Sequence, residues 1–247
     1  MAPFSTLLLQ LLLFTGAAAS GIVGGRVAKP HSRPYMVSLQ IGKSHTCGGI
    51  LVRKDFVLTS AHCKHPALVA VLGAHNITKA EKSQQRIQVA EYHPHPNYTC
   101  KCSYDIMLLK LKTPAKLNKY VKTIDLPKKN GKIPANINCT VAGWGRTVGK
   151  AHMPASDVLK EAKVKIQFNF ECKNKWGISF LSDQMICTRT DKKEGICQGD
   201  SGGPLLCNGK PQGLSAFTRE NDCSNPNYPQ AFMKIFYFIS WIKKVMG

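Results

Sequence analysis

One glycine-rich segment of the sequence places a serine where it could act as a nucleophile. Ser201 lies in the segment CQGDSGGP, residues 197–204, with glycines on both sides. Such glycines permit a tight backbone turn that presents the hydroxyl and points successive N–H groups at one place, as an oxyanion hole requires. A glycine-rich turn bearing a serine is often only a turn, and a serine hydroxyl is a weak nucleophile without a base. The chemistry therefore requires a histidine and a group that orients it.

Two residues elsewhere in the chain could supply the base and the orienting acid. His62 ends an apolar run and adjoins Cys63, whereas Asp105 stands at the start of the apolar run 106–111. A buried carboxylate is costly unless it is hydrogen-bonded, so Asp105 requires a partner such as a histidine Nδ1. Taken alone, a core histidine, a capping aspartate and a turn serine are the commoner roles. The remaining histidines are expected at the surface or in loops, including His93, His95 and His152.

The composition predicts a folded, β-rich chain around these residues. Its 247 residues allow one large domain or two small ones, and 43% apolar residues argue against intrinsic disorder. The 20 Gly and 14 Pro exclude a coiled coil or a long helical bundle. The predicted strands are Tyr35–Ile41, Gly49–Val52, Phe56–Ser60, Leu68–Leu72, Arg86–Tyr92, Asp105–Leu111, Thr140–Gly143, Lys160–Ile166, Gly203–Cys207 and Gln212–Phe217. Short strands at this spacing indicate a barrel or a sandwich.

Two other stretches indicate how the strands are organised. The polar, proline-containing stretch Lys112–Lys132 predicts a linker between two β halves of similar size. Apolar residues recur at three- and four-residue steps from Lys234 to Met246, which predicts a C-terminal helix. We expect this helix to pack on the second half.

The N-terminal segment has the pattern of a secretory signal peptide, predicted to be residues 1–19. Its apolar run at 7–14 is followed by small residues, but it lacks the usual basic start. The run is shorter than the roughly 18 residues that span a bilayer, and a buried strand is the alternative. No other stretch predicts a membrane span. The mature chain is therefore expected to be soluble and secreted or stored in a vesicle.

The segments around His62, Asp105 and Ser201, in that order, resemble the trypsin-like serine proteases with the chymotrypsin fold. The resemblance covers residues 22–245 and includes IVGG at 22–25, CGG at 47–49, VAGWGR at 141–146 and the closing Trp241-Ile242. Residues 30–36 and 72–78 are similar to granule proteases of immune cells. Residues 117–129 are similar, more narrowly, to granzymes A and K.

The resemblance implies an all-β fold of two antiparallel six-stranded β-barrels, with the active site between them and a C-terminal α-helix. Residues 22–247 would form the protease domain, with about 22–125 in the N-terminal barrel and 126–247 in the C-terminal barrel and helix. It further implies a serine endopeptidase without a cofactor. No metal is expected, because Ala74 and Gln84 stand where calcium-binding relatives carry acids.

The resemblance also implies a role for each of the three residues. Ser201 would be the nucleophile, His62 the general base and then acid, and Asp105 the group that fixes the imidazole tautomer. The N–H groups of Gly199 and Ser201 would form the oxyanion hole.

The resemblance implies that the enzyme becomes active after its N-terminal residues are removed. In the family, the new N-terminal ammonium pairs with the acid before the serine, so Ile22 would pair with Asp200. Residues 20–21, Ser-Gly, offer no lysine or arginine to a trypsin-like activator. We expect them to be an activation dipeptide that a dipeptidyl peptidase removes.

Ten cysteines in a secreted chain predict disulfides. The family pattern implies four pairs: Cys47 with Cys63, Cys139 with Cys207, Cys172 with Cys187, and Cys197 with Cys223. Cys100 and Cys102 lie outside that pattern. They could bridge to each other across a sharp turn, pair between chains in a dimer, or leave one thiol free.

Specificity in this family is set in the pocket that receives the residue before the cleaved bond. Its base is Gly195, followed by Ile196, and it offers no charge. Its other walls are similar to the neutrophil elastase group and comprise Ala216, Phe217, Thr218 and Gln230, and Gln230 is expected to reach toward the floor. A narrow, uncharged pocket predicts cleavage after small or medium uncharged residues. Ala216 replaces the serine that in the family directs its hydroxyl at the buried acid, which predicts slower turnover.

The net charge of +20 predicts anionic partners. We expect an acidic proteoglycan in a storage granule, protein or peptide substrates, and protein protease inhibitors, but no specific nucleic acid. Three sequons, at Asn76, Asn97 and Asn138, predict glycosylation. A rival function from another class is a catalytically poor, cationic antimicrobial or glycosaminoglycan-binding protein on the same scaffold.

Overall fold

The computed structural model describes residues 22–99, 102–128, 133–149, 154–189 and 194–247. The strands are β1 (Arg26–Val27), β2 (Met36–Ile41), β3 (Ser44–Arg53), β4 (Phe56–Thr59), β5 (Leu68–Leu72), β6 (Gln85–Pro94), β7 (Met107–Leu111), β8 (Asn138–Gly143), β9 (Lys160–Lys165), β10 (Met185–Thr188), β11 (Pro204–Cys207), β12 (Lys210–Phe217) and β13 (Gln230–Lys234). The helices are α1 (Asn169–Trp176) and α2 (Ile239–Met246).

The first six-stranded unit is a closed antiparallel barrel in the order β2-β3-β4-β7-β6-β5. Strands β4 and β7 pair at its centre, with Val57 opposite Leu109 and Leu58 opposite Leu108. Successive side chains of a strand point to opposite faces. Val57 and Leu109 accordingly pack in the barrel interior, whereas Leu58 and Leu108 pack in a second core with residues of the other half. These strands are apolar on both faces because both faces are buried.

The second unit has the order β9-β8-β11-β12-β13-β10, with β1 added outside β9. Its two outer strands meet through a bridge between Ile166 and Thr188 and through the hydrogen bond from the Arg189 amide to the Lys165 carbonyl, 2.9 Å. The all-β prediction of two antiparallel barrels with a C-terminal helix is therefore confirmed. The additional strand β1 is short, and its Arg26 forms an ion pair with Glu161 of β9 at 2.9 Å.

The two ends of the described chain cross between the halves. Ile22 is fully buried in the core of the second unit, and Val23 pairs with Gly195 there. At the other end, Phe238 and Ile242 belong to the same apolar cluster as Leu58 of β4. The C-terminal segment thus contacts both halves, rather than the second alone. No helix among the described residues is long and apolar enough to cross a bilayer.

Several elements differ from the sequence prediction. The final helix begins at Ile239 rather than Lys234, because a 3-10 turn over Ile235–Phe238 precedes it. Strand β7 begins at Met107, which leaves Asp105 in the preceding loop. Strands β10 and β13 and helix α1 were not predicted. The first two have only four and five residues, so their apolar runs are too short to be distinctive.

Candidate active site

His62 and Asp105 meet at one end of the first barrel. His62 lies in a 3-10 turn directly after β4, and Asp105 lies two residues before β7. Thr59 and Met107 are partners in this strand pair, so the pairing itself brings the two residues together. The Asp105 Oδ2 atom lies 2.6 Å from the His62 Nδ1 atom, and Asp105 Oδ1 accepts the His62 backbone N–H at 2.9 Å.

This arrangement determines how the imidazole can act. Both Asp105 oxygens face His62, so the carboxylate favours a proton on Nδ1 and leaves Nε2 as an acceptor. The Asp105 side chain is only 7% exposed, whereas 36% of the His62 side chain is exposed. The buried acid thus orients a base whose outer nitrogen can reach a substrate. Ala216 lies in β12 and is buried, and its methyl group offers no hydrogen bond.

Ser201 belongs to the second unit, but the fold holds its backbone against the first. Its carbonyl accepts the Gly48 N–H at 2.8 Å and lies 3.8 Å from the Cys63 sulfur, adjacent to His62. Gly202 adopts φ +75, and a Cβ there would lie 2.0 Å from Thr59 Oγ1. The glycine therefore permits the close approach of the serine turn to the end of β4.

Between Gly199 and Gly203, the serine turn leaves two backbone amides without an internal acceptor. The Asp200 and Gly203 amides donate within the turn, to Cys197 and Asp200 carbonyls, and the Gly202 amide donates to Ser215. In the described part of the chain, the Gly199 and Ser201 amides donate to no protein acceptor. Gly199 adopts φ +96, and a Cβ there would lie 2.9 Å from the Gly145 Cα. The turn can thus hold two unpaired donors side by side.

His45 is a positioning residue that the sequence analysis missed, and its placement corrects the expectation that the remaining histidines lie at the surface or in loops. It lies in β3, where its Nε2 and the Gly199 carbonyl are 2.8 Å apart and its Nδ1 and the Ser38 hydroxyl are 2.8 Å apart. Because Gly199 offers only an acceptor, Nε2 donates and Nδ1 accepts. Burial lowers the pKa of His45 to about 4, so the ring stays neutral. The predicted strand began only at Gly49, whereas β3 begins at Ser44, so His45 was not expected in a strand.

Asp200 is a buried carboxylate without a cation among the described residues. It is fully buried, and its two oxygens accept the Gly145 N–H at 2.8 Å and the Cys197 N–H at 2.9 Å. Burial raises its pKa from 3.8 to about 7, although both hydrogen bonds oppose that shift. The buried Ile22 packs in the same half, and the Gly195 N–H donates to the Val23 carbonyl at 3.0 Å. An uncompensated buried acid therefore lies in the half that receives Ile22.

A cleft of about 190 Å³ opens beside Ser201. Of the predicted pocket residues, four line it: Ile196, Ala216, Phe217 and Thr218. Glu220, which the sequence analysis did not include, also lines it and is exposed.

Gly195 and Gln230 lie beneath this cleft instead of lining it. Gln230 is fully buried, and its Oε1 accepts the Ile196 N–H at 2.9 Å. Its Nε2 donates to the carbonyls of Ile196 and Cys223, both at 3.2 Å. A Cβ on Gly195 would lie 2.0 Å from Gln230 Oε1, so the glutamine occupies the space that glycine leaves. The pocket is therefore closed at its base by an amide with both donors in use.

All four disulfides implied by the resemblance are present in the structure. The Cys47–Cys63 bond links β3 to the His62 turn, and Cys197–Cys223 joins the serine segment to the far wall of the cleft. Cys102 is half-buried and forms no disulfide with a described residue, and its pKa is raised by burial and by the charge of Asp105. Cys100 lies outside the described residues, so the bridge to Cys102, the dimer and the free thiol all stay predictions.

One group of potential metal ligands lies at the site, formed by Cys47, His62 and Cys63, whose donor atoms lie within 4.8 Å of one another. Both sulfurs are bonded to each other in a disulfide. A cysteine binds a metal ion as a thiolate, so this group offers a metal the imidazole alone.

Comparison with known proteins agrees with the fold. The family model described as Trypsin matches residues 22–242. The chain is 45% identical to granzyme B of Rattus norvegicus, covering 97% of this chain and 98% of that protein. It is 41% identical to mast cell protease 3 of Ovis aries, covering 97% and 95%. The narrower similarity to granzymes A and K and the elastase-like pocket stay predictions.

A solved structure gives the same result. Neuropsin, a serine protease expressed in the limbic system of mouse brain, superimposes with a TM-score of 0.85 at 34% sequence identity. The match covers 92% of this chain and 100% of neuropsin. The protein belongs to the trypsin family and is a serine-type endopeptidase.

Proposed function

We propose that this endopeptidase cleaves peptide bonds with Ser201 as nucleophile, His62 as base and Asp105 as the group that orients it. The single observation that carries the assignment is the Asp105–His62 contact of 2.6 Å beside a serine turn with two free amides. The experiment that tests it is replacement of Ser201 by alanine, with peptide turnover and labelling by a serine-directed phosphonate as readouts.

In the proposed cycle, His62 returns each proton that it accepts. Nε2 accepts the Ser201 hydroxyl proton as Oγ bonds to the substrate carbonyl carbon, and the oxyanion accepts the amides of Gly199 and Ser201. The imidazolium then donates that proton to the leaving amine, and the C–N bond breaks. Water, deprotonated by Nε2, hydrolyses the acyl-enzyme and returns the hydroxyl to Ser201. His45 supports the oxyanion hole, because its hydrogen bond fixes the Gly199 carbonyl and with it the adjoining peptide.

We further propose that the pocket accepts small or medium uncharged side chains. Supporting this, Gln230 closes the base, and its Nε2 hydrogens are donated to Ile196 and Cys223. An acidic side chain would meet no free donor there, and a long basic side chain would meet no carboxylate at the base. A large aromatic ring would require the volume that Gln230 fills.

Replacing Gln230 with alanine is expected to enlarge the pocket and shift the preference to larger residues. With the side chain removed, the ratio of kcat/KM for a phenylalanine substrate over a valine substrate should rise at least about tenfold, as for pockets that differ by a few methylenes. Matched fluorogenic peptides that differ at this one position measure the ratio.

Gln212→Ala is the matched control, because Gln212 lies away from the cleft, beside Cys207 and Lys210. Its ratio should equal that of the unaltered enzyme. An unchanged ratio in Gln230→Ala, with both variants folded, would contradict the proposed pocket.

Activation is proposed to require removal of residues 1–21, as a leader of 19 residues and the dipeptide 20–21. The new Ile22 ammonium would pair with Asp200, which is otherwise a buried acid with a pKa of about 7. The burial of Ile22 and the pairing of Val23 with Gly195 support this assignment. The ammonium would keep Asp200 ionised at neutral pH.

The chain that retains Ser20 and Gly21 is expected to lose stability as the pH rises from about 4 to about 7. In this interval the folded state keeps the Asp200 proton, whereas the unfolded state has already lost it. A pKa of 3.8 raised to about 7 corresponds to about 4 kcal/mol of unfolding free energy. Denaturant unfolding of this form and of the form starting at Ile22, over that pH range, measures the effect.

Asp200→Asn in the longer form is the control, since it removes the titrating proton and should remove that part of the pH dependence. Identical pH profiles for the two forms of the unaltered protein would refute the pairing of Ile22 with Asp200.

We also propose a secreted or granule-stored protein with an anionic proteoglycan as partner. The net charge is +20, and a cleft of about 710 Å³ on the second unit supports this. Five basic residues line it, against Glu161 and Glu194: Arg26, Arg33, Lys163, Lys165 and Arg189. The rival function of a catalytically poor cationic protein has the same charge, but it does not require the Asp105–His62 contact.

A further inference from the structure

Three exposed apolar side chains surround helix α1 at the surface of the second unit. Phe168 is 44% exposed, Phe170 63% and Ile178 92%. The two phenylalanine rings are neighbours, with centroids 5.8 Å apart. An exposure of 92% means that Ile178 has almost no contact with its own chain. We call these three residues the α1 patch.

Contacts on the inner side of α1 hold the α1 patch toward the solvent. Cys172 is fully buried in its disulfide with Cys187, and the Trp176 indole N–H donates to the Pro229 carbonyl at 2.7 Å. These two residues are four apart and define the inner side of the helix. Phe170 and Asn174, at the same spacing, are exposed and lie on the outer side. Phe170 cannot turn inward while the disulfide and the indole contact hold the helix.

The helix that carries the α1 patch, and the strand before it, are rich in lysine. Lys173 and Lys175 are exposed on the helix, and Lys163 and Lys165 are exposed on β9. The Lys173 ammonium donates to the Phe180 carbonyl near the C-terminal end of the helix. Between residues 163 and 183 the chain has these four lysines and only two acids, the half-buried Glu171 and the exposed Asp183.

We propose that the α1 patch docks this protein on the surface of an anionic lipid bilayer. Exposed aromatic and aliphatic tips among lysines are the composition that inserts shallowly between charged headgroups. The two phenylalanine rings protrude together, and Ile178 is almost fully exposed. A fluid bilayer adapts to such tips, whereas a protein partner would need a complementary pocket for each. The net charge of +20 attracts the whole molecule to the same surface.

Docking through this patch would also place the pocket near the bilayer. The Trp176 ring, on the inner side of α1, lies 5.0 Å from the Phe217 ring of the pocket wall. The helix is about 10 Å thick, so the outer tips and the pocket wall are separated by about one helix diameter. Docking requires none of the catalytic residues and does not depend on the proposed mechanism.

Co-sedimentation with lipid vesicles tests this proposal. The chain starting at Ile22 is mixed, at about 0.15 M salt, with vesicles of phosphatidylcholine alone or with about 30% phosphatidylserine. We expect binding to the anionic vesicles only. Phe170→Ser and Ile178→Ser should each weaken it about tenfold, and Lys175→Gln about fivefold. Ser201→Ala should bind as the unaltered protein does, which separates docking from catalysis.

Leu117→Ser is the matched control, because Leu117 is 53% exposed but lies outside the α1 patch. Its vesicle binding should equal that of the unaltered protein. Thermal unfolding and peptide turnover verify that every variant other than Ser201→Ala is folded and active.

Three results would overturn the proposal. One is no binding of the unaltered protein to anionic vesicles. Another is full binding by Phe170→Ser and Ile178→Ser, which would assign the attraction to charge alone. The third is a dimer in solution that Phe170→Ser dissociates, without vesicle binding, which would assign the α1 patch to contact between copies of this chain.

Discussion

Replacing Ser201 with alanine is expected to lower kcat for peptide hydrolysis about a millionfold. Without the hydroxyl, no acyl-enzyme can form, and only the oxyanion donors and substrate binding remain to accelerate attack by water. The fold should persist, because Ser201 is held through its backbone, by the Gly48 N–H at 2.8 Å. Burst-phase and steady-state kinetics with a fluorogenic peptide measure the loss, and a serine-directed phosphonate should no longer label the chain.

The matched control for this substitution is Ser83→Ala, which removes a half-buried serine hydroxyl from the first barrel. It should retain full turnover and one equivalent of label. Unfolding by denaturant should give the same midpoint for Ser201→Ala as for the unaltered protein. Turnover or labelling that survives in a folded Ser201→Ala variant would remove this residue from the mechanism.

Replacing Asp105 with asparagine should lower kcat about 10,000-fold while leaving the site assembled. The amide oxygen can still accept the His62 backbone N–H, but the amide nitrogen would then donate to Nδ1. That contact favours a proton on Nε2, and the ring can no longer accept the Ser201 proton. Single-turnover kinetics of acylation measure the loss, because acylation is the step that needs the free Nε2.

Asp183→Asn is the corresponding control, because Asp183 is an exposed aspartate that lies outside the serine site. It should change kcat less than twofold. Phosphonate labelling of Asp105→Asn should slow but still reach Ser201, which distinguishes a misoriented base from a lost nucleophile. A folded Asp105→Asn variant with kcat within tenfold of the unaltered enzyme would show that another group orients His62.

In the serine segment, the residue types alone indicate the backbone conformation. Gly199 and Gly202 adopt φ +96 and +75, a region that only glycine enters without strain, so the residue types themselves report the backbone. The paired strands β4 and β7 are apolar on both faces, and this pattern predicts buried strands. The resemblance carried by these segments therefore predicted the fold class and a site at His62, Asp105 and Ser201, and the structure shows the contact between His62 and Asp105.

Other features depend on contacts between segments far apart in the chain. His45 looked like any loop histidine, because its partner Gly199 lies 154 residues away. Gln230 was expected to reach toward the pocket floor, but its hydrogen-bond partners there, Ile196 and Cys223, lie 34 and 7 residues away. A buried amide takes whichever partners satisfy all its donors, and sequence spacing does not specify them.

The sequence by itself determined the chemistry available to this protein: a serine in a tight glycine turn, a base, an acid, and the apolar strands that carry them. Tertiary structure alone decided which groups meet, which residues line the pocket, and that both ends of the described chain cross between the halves. The physical reason is the sequence separation of the interacting residues. Backbone conformation and strand pattern are set by neighbouring residues, whereas burial and hydrogen-bond partners are set by segments that meet only in the folded chain.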